Sequence, residues 1–204
     1  MQAKAREVYV PLVLQDLRTG TAELHIALEK RLPFFSDTLD LHAFERLMQA
    51  YYGFYLPLED ALLNSHSIPP DLDLAPRLKA PTLRTDLQAL GMSPAALEHL
   101  PLCQQLPRID SSAACLGVLY VLEGATLGGQ ILRREVSARL GLEANNGAAF
   151  LDIYGAVTGR RWRDFIEYLG GFPLAADERA AVVEAARTTF SCFERWLESR
   201  EVLA

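Results

Sequence analysis

Residues 120–129 of the chain read Tyr-Val-Leu-Glu-Gly-Ala-Thr-Leu-Gly-Gly. They lie inside a segment that Asp110 and Ser111 can cap at its start and that Gly141 can end as a C′ residue. These ends predict one helix of about thirty residues. Each interior glycine costs about 1 kcal/mol relative to alanine, so a helix that contains four of them needs a compensating reason.

Three of these glycines share one face of the predicted helix. Gly117, Gly124 and Gly128 are separated by seven and four residues. A face without side chains allows a neighbouring helix to cross closely, because small residues at four-residue spacing are a common packing device. It also allows a large flat ligand to approach the backbone, and helix breaks at glycine would free carbonyls to hold water or that ligand. The spacing alone leaves both explanations open.

The rest of the chain is also helical in pattern. No window shows convincing two-residue alternation, so the sequence predicts an all-α fold without a sheet. One domain over residues 1–204 is expected, because a chain of this length that is 50% hydrophobic can bury one large core. Further helices are predicted over residues 14–28, 41–62, 82–90, 148–168 and 177–201, and another is predicted to begin at residue 94. The helix over 41–62 is expected to kink at Pro57, and the one over 148–168 is expected to break around Gly155 and Gly159.

The charge balance bears on the class of partner. The chain has 20 basic and 26 acidic side chains, which gives a net charge of -6. A field of this sign repels phosphate backbones and anionic membrane surfaces, so neither nucleic acid nor a membrane is an expected partner. An anionic small molecule would need a local group of arginines to bind.

Cysteine usage and the apolar segments predict the compartment. Cys103, Cys115 and Cys192 show no C-x-x-C spacing, which fits neither a disulfide framework nor a structural zinc site, and as buried thiols they indicate a reducing cytoplasm. Residues 1–14 contain scattered charges and no apolar core of a signal peptide. Residues 115–132 are interrupted by a glutamate and four glycines. We therefore expect neither export nor a membrane-spanning helix.

His25 is a candidate metal ligand in the first predicted helix. It follows Thr21 by four residues and precedes Leu28 by three, so its imidazole is expected to point into the core. A lone histidine there is usually structural. Glu29, one turn later, can orient the imidazole through its other ring nitrogen, and Arg18, two turns earlier, can meet a carboxylate. The alternative for both charged residues is an ordinary solvated ion pair.

The remaining polar and aromatic candidates are weaker. His42, His66 and His99 have no partner at metal-ligand spacing. Glu123 can be a general base, but a carboxylate beside tight helix packing is more often a hydrogen-bonded structural group. An aromatic run is more typical of a core than of a cofactor site, although it can wall a flat pocket; its members are Phe44, Tyr51, Tyr52, Phe54 and Tyr55.

Two motifs together resemble a known family. Leu17-Arg18-x-x-Thr21-x-x-x-His25-x-x-x-Glu29, followed about ninety residues later by the stretch 120–129, is similar to the heme oxygenases. The similarity is closest to the bacterial, biliverdin-producing branch, which includes enzymes associated with bacteriophytochromes. The C-terminal third is similar in pattern too, with Phe150, Tyr154-Gly155, Trp162, Phe165, Ala185-Ala186, Phe190 and Trp196 in the expected order. The resemblance therefore spans nearly the whole chain.

The resemblance implies roles for individual residues. His25 would be the proximal ligand of the heme iron, with Glu29 behind it. The heme would lie between this helix and a kinked distal helix, whose implied contacts are Tyr120, Gly124, Thr126, Gly128 and Gly129.

Three basic residues fall near the positions at which the family binds the heme propionates: Arg18, Arg133 and Arg163. A solvated surface arginine remains the alternative for each. One position departs from the animal-type pattern, which has an aspartate where this chain has Ala125. Water near bound oxygen would then be held by backbone carbonyls, Thr126 or a more distant polar group.

The implied reaction is the oxidative cleavage of heme to biliverdin, carbon monoxide and ferrous iron, with O2 as co-substrate. Heme would be both cofactor and substrate. Electrons would come from a ferredoxin or a flavin reductase, and a bacteriophytochrome could accept the biliverdin. One alternative is a non-catalytic heme carrier or sensor, which Ala125 permits. A second is another helical enzyme of the same fold, such as a thiaminase-like one, which would not need His25. A third is a purely structural helical module.

Overall fold

A computed structural model describes residues 10–204, and most of these residues are helical. No strand occurs within that range, which confirms the predicted all-α class. The α-helices are α1 (Leu12–Arg31), α2 (Leu41–Leu63), α3 (Ala80–Ala89), α4 (Pro94–Glu98), α5 (Ser112–Leu140), α6 (Thr158–Gly171) and α7 (Ala176–Ser199). Short 3₁₀ turns occur at Pro33–Phe35, Ala75–Arg77, Ala149–Asp152 and Gly155–Val157.

Helix α7 is the centre of the packing, because both α1 and α5 lie against it. Glycines permit these contacts. A Cβ atom at Gly20 of α1 would lie 2.5 Å from Cγ1 of Val183, and one at Gly117 of α5 would overlap the carbonyl oxygen of Val182. A close crossing of α5 and α7 therefore explains Gly117, which was one of the two explanations that the sequence left open.

The ends of α5 and α4 follow local sequence signals. The Ser111 hydroxyl accepts a hydrogen bond from the backbone N–H of Ala114 at 3.1 Å, and Gly141 ends the helix at φ 69°. Ser93 caps α4 in the same way through the N–H of Ala96. These caps satisfy backbone groups that a helix end leaves without partners. The predicted boundaries of the 29-residue α5 are confirmed.

Pro57 lies inside α2 without ending it. Proline has no N–H, so the carbonyl of Gly53, four residues earlier, loses its helical donor. The backbone N–H of Cys103 donates to this carbonyl at 2.8 Å. The missing side chain of Gly53 makes the approach possible, since a Cβ there would lie 2.5 Å from the carbonyl oxygen of Pro101. A tertiary contact thus replaces the helical bond.

The two glycine-rich segments behave differently. Helix α5 continues through Gly124, Gly128 and Gly129, as the prediction of one helix of about thirty residues requires. The segment that follows α5 breaks at Gly155, which has a φ of 52°, whereas Gly159 lies in the first turn of α6. A positive φ is incompatible with a helix, while a glycine at helical φ only lowers its stability.

By length and hydropathy alone, α5 could cross a membrane. Half of its most apolar window is buried inside the protein, and Glu123 within it is ion-paired to residues of other elements. We therefore regard α5 as a core helix. Cys103, Cys115 and Cys192 are buried free thiols, as predicted, and burial raises the pKa of Cys115 to about 12.

Candidate active site

A cavity of about 880 Å³ opens between α1 and α5. Its inner wall is formed by α2, α7 and the turn Ala149–Asp152, and the lining is mostly apolar and aromatic. Such a volume and lining are typical of sites for small molecules and cofactors. Eight of the ten predicted site residues line it: Arg18, His25, Glu29, Tyr120, Gly124, Thr126, Gly128 and Gly129.

His25 lies at the mouth of the cavity. Its side chain is 53% exposed, so the expectation that it points into the core is wrong. It follows the buried Thr21 on α1, but the space beside it is the cavity and not packed protein. Its ring meets the edge of Phe190 at 6.0 Å, and its Nδ1 lies 3.4 Å from Oε2 of Glu29. That contact favours a proton on Nδ1, which leaves the lone pair of Nε2 available to a metal.

The glycines of α5 divide into two structural classes. A Cβ at Gly128 would meet nothing within 4 Å among the described residues, and one at Gly124 would make ordinary contact with Trp162 at 3.5 Å. A Cβ at Gly129 would overlap the carbonyl oxygen of Leu151. Gly124 and Gly128 therefore present bare backbone to the cavity, whereas Gly129 permits close packing of α5 on the turn Ala149–Asp152.

Thr126 and Tyr120 flank the glycines on α5. The Thr126 hydroxyl donates to the backbone carbonyl of Glu123 at 2.7 Å, so its proton stays within the helix. The ring of Tyr120 lies 5.6 Å from that of Trp162. Burial raises the pKa of the Tyr120 phenol, and the nearby charge of Arg18 partly opposes this rise. Tyr120 is therefore a neutral phenol at the cavity wall.

The three predicted arginines are not equivalent. Arg18 lines the cavity from an exposed position on α1. Arg133 and Arg163 are not among the lining residues, so the structure does not bring them together with Arg18 at the cavity. Arg133 forms ion pairs with Glu143 at 2.9 Å and with Asp152 at 3.4 Å. Arg163 is exposed on α6, one residue after Trp162, which faces the cavity.

A buried ionic cluster adjoins the glycine face. Glu123, which is 1% exposed, accepts hydrogen bonds from Lys79 at 2.7 Å, from Arg77 at 2.8 Å and from the Tyr154 hydroxyl at 2.9 Å. Lys79 also donates to the carbonyl oxygen of Arg77. Burial lowers the pKa of the Lys79 ammonium, and Glu123 opposes this effect. A carboxylate with three donors is a structural anchor, which favours that explanation of Glu123 over a general base.

Sequence reasoning missed the partners of Glu123. Arg77 and Lys79 lie in a proline-rich connector, and Tyr154 lies between two 3₁₀ turns. None of these residues belongs to a periodic pattern. The one available signal was the unpaired Glu123 within an apolar helix, because a buried carboxylate requires cationic or N–H partners from elsewhere in the chain.

Two buried carboxylates hold the segments that form the cavity wall. Glu59 of α2 accepts the backbone N–H groups of Lys79 and Ala80 at 2.6 and 3.0 Å. Asp86 of α3 accepts those of Ala149 and Phe150 at 3.0 and 2.7 Å. Burial raises the pKa of both carboxyl groups, and these hydrogen bonds oppose the rise. Their role is to satisfy the N-terminal donors of α3 and of the turn Ala149–Asp152.

The aromatic run on α2 serves both purposes that the sequence allowed. Tyr51, Phe54 and Tyr55 line the cavity. Phe44 and Tyr52 are buried in the core, at 0% and 2% exposure. Helix α2 lies between the core and the cavity, and it has aromatic residues on both of these faces.

Known proteins resemble this chain in sequence. The sequence model of the family described as "Heme oxygenase" matches residues 12–199. Heme oxygenase PigA from Pseudomonas aeruginosa is 29% identical over 185 residues, which are 90% of this chain and 90% of that protein.

Solved structures show the same fold. The heme oxygenase from Leptospira interrogans has a TM-score of 0.75 at 19% identity, covering 92% of this chain and 98% of that one. Heme oxygenase-1 from the cyanobacterium Synechocystis, solved in complex with heme, has a TM-score of 0.74 at 18% identity, covering 93% of this chain and 92% of that one. Because the family model covers almost the whole described structure, the chain belongs to the heme oxygenase family.

Proposed function

We propose that this protein binds heme in the cavity between α1 and α5 and opens the ring to biliverdin, carbon monoxide and ferrous iron, with O2 as co-substrate. Family membership supports the reaction. One observation carries the site: His25 and the side-chain-free backbone at Gly124 and Gly128 line the same cavity. An imidazole from one helix and bare backbone from another are what a flat iron-containing ring requires.

The residues present fit heme. The mostly apolar lining suits a porphyrin, and the contact of Nδ1 with Glu29 leaves Nε2 of His25 available to the iron. Heme supplies the iron at which O2 is activated, and it is also the molecule that is cleaved. His25 holds and orients the iron, and Gly124 and Gly128 leave room for O2. The apolar wall limits access of bulk water.

Polar residues at the rim would orient the substrate. Arg18 is the predicted arginine that both lines the cavity and lies in solvent, so it is our candidate for a propionate contact. The side of the cavity that α5 forms is proposed to be shaped by Tyr120, Thr126 and Gly129.

The partners and the compartment are part of the same proposal. The reaction needs external electrons, for which we propose a ferredoxin or a flavin reductase, and a bacteriophytochrome is a candidate acceptor of the biliverdin. The three buried free thiols support a cytoplasmic location. The net charge of -6 argues against nucleic acid and anionic membranes as partners.

The test is a hemin titration followed by visible spectroscopy in air, with ascorbate or a ferredoxin reductase system as electron source. We expect a Soret band that forms on binding and then decays to the spectrum of biliverdin. His25→Ala should abolish the native Soret band and turnover. His42→Ala is the matched control, because His42 is exposed on α2 and does not line the cavity.

Two other outcomes would contradict the proposal. A stable hemin complex whose ring is never opened would favour the carrier or sensor function that Ala125 permits. A wild-type protein that binds no hemin would favour a different helical enzyme on this fold.

A further inference from the structure

The plane of the His25 ring is not fixed by its charged neighbour on α1. The torsion that turns an imidazole about its Cβ–Cγ bond has broad minima, so a ring plane needs a contact to hold it. Nδ1 of His25 lies 3.4 Å from Oε2 of Glu29, which is longer than an ordinary hydrogen bond, and the two side chains are 53% and 61% exposed. Such a contact favours one tautomer but constrains the ring plane only weakly.

Phe190 of α7 is the aromatic neighbour of this ring. The two ring centroids lie 6.0 Å apart and the ring planes are 86° from parallel, which is the edge-to-face arrangement that aromatic pairs prefer. Within the part of the chain that the structure describes, this is the one aromatic ring contact of His25. The contact is lost when either ring plane turns, so it favours one orientation of the imidazole by about two- to tenfold.

Phe190 is itself held in place by the core. Its side chain is 9% exposed and packs within the hydrophobic core, and it also lines the cavity. Side chains in a close-packed core occupy well-defined rotamers, whereas an exposed side chain turns more freely. Of the two rings, the phenylalanine is therefore the one that directs, and the half-exposed imidazole is the one that adapts.

Contacts before and after the two rings fix the register of α7 against α1. On one side, Nη1 of Arg187 donates to the carbonyl oxygen of Gly20 at 2.7 Å, and the missing side chain of Gly20 lets the helices approach closely. On the other side, Nη1 of Arg31 lies 2.8 Å from Oε1 of Glu194. A slip of either helix along the other would break these contacts. The pairing of the two rings is therefore set by the packing of the helices.

We propose that Phe190 is a positioning residue for His25: it holds the imidazole in one plane and thereby sets how that plane lies relative to a ligand in the cavity. The significance for heme rests on the proposed function, because the plane of an axial imidazole decides which iron orbitals its π system overlaps. The orientation of the ring in the ligand-free protein does not rest on it. Phe193 also lines the cavity from α7, but its ring packs against Tyr51 and Phe54.

The direct test is a set of high-resolution crystal structures of the ligand-free protein as wild type, Phe190→Leu, Phe190→Tyr and Phe193→Leu. Phe193→Leu is the matched control, because it removes a ring from the same helix and the same cavity. We expect one imidazole orientation in the wild type, in Phe190→Tyr and in the control, and a rotated or multiple orientation in Phe190→Leu. Several orientations in the wild type, or an unchanged imidazole in Phe190→Leu, would overturn the inference. If Phe190→Leu does not fold, Phe190→Met replaces it, since methionine is flexible and fills the space without a ring.

A second readout uses the ferric hemin complex with cyanide, which does not turn over. The paramagnetic shifts of the heme methyl groups in its proton NMR spectrum follow the plane of the axial imidazole, and a change in affinity alone does not alter them. Phe190→Leu should change the order or spread of these resonances, whereas Phe190→Tyr and Phe193→Leu should keep the wild-type pattern. The wild-type pattern in Phe190→Leu, or the same change in Phe193→Leu, would contradict a positioning role. If the wild type binds no hemin, the proposed function fails, and the crystal structures still decide the orientation of the ring.

Discussion

The carboxylate of Glu123 lies 2.7 Å from the ammonium nitrogen of Lys79, and both side chains are 1% exposed. The pair joins α5, at the residue before Gly124, to the start of α3. Because Arg77 and Tyr154 donate to the same carboxylate, three separate parts of the chain meet at one group: α5, the connector before α3, and the segment around Tyr154. The position of Gly124 and Gly128 beside the cavity therefore depends on this contact.

Removing the charge of Glu123 should strongly destabilise the fold. Glu123→Gln leaves the Lys79 ammonium buried without a counter-charge, and we expect a loss of about 3–5 kcal/mol in the free energy of unfolding. Urea denaturation measures it. Asp164→Asn is the control, since its pair with Arg160 is largely exposed and should contribute no more than about 1 kcal/mol. A loss of that small size for Glu123→Gln would show that the cluster does not anchor α5.

Substitution by alanine should change the stability of the protein in opposite directions at Gly128 and at Gly129, two adjacent glycines of α5. Gly128→Ala places a methyl group in the cavity without a clash, so the ligand-free protein should gain up to about 1 kcal/mol of stability while hemin binding or turnover falls about tenfold. Gly129→Ala overlaps the carbonyl oxygen of Leu151 and should lose about 1–3 kcal/mol. Thermal melts and hemin titrations of the two variants distinguish these effects. Equal responses would contradict the division of the glycines into two classes.

Alkaline pH should weaken the fold through Tyr51. Burial raises the pKa of this phenol above its ordinary value of 10, so above that pH the folded protein retains a proton that the unfolded chain releases. The stability that Tyr51 contributes is complete below pH 10 and falls by about 1.4 kcal/mol per pH unit above it. Between about pH 9 and about pH 11, Tyr51→Phe should lose about 1.4 kcal/mol less than the wild type in urea unfolding. Equal losses would show that the phenol ionises freely in the folded state.

Arg18 and Arg163 should differ in their effect on hemin affinity. Arg18→Ala removes an exposed charge at the cavity rim and should weaken hemin binding about fivefold at low salt, with a smaller effect at high salt. Arg163→Ala removes an exposed arginine that does not line the cavity and should leave affinity unchanged. A larger effect of Arg163→Ala than of Arg18→Ala would favour Arg163 over Arg18 as the propionate contact.

Local sequence signals were sufficient for much of the fold. The extent of α5 followed from Ser111 and Gly141, because caps act between residues that are close in the chain. The proximity of His25 and the glycine stretch could be predicted only through family resemblance, since they are about ninety residues apart. Pro57 shows the limit of a local rule: the carbonyl of Gly53, which the proline leaves without its helical donor, is satisfied by the N–H of Cys103, and no local pattern connects these two residues.

The sequence by itself determined the helical class, the main helix ends, the family and eight of the residues that line the cavity. Tertiary structure alone decided that Gly117 and Gly129 serve packing while Gly124 and Gly128 face the cavity. It also decided that His25 is half-exposed at the cavity mouth, that Arg133 is engaged by Glu143, and that Lys79 neutralises Glu123. The reason is physical: capping and periodicity depend on neighbours within a turn or two, whereas burial, ion pairing and the space beside a glycine depend on segments that meet only when the chain folds.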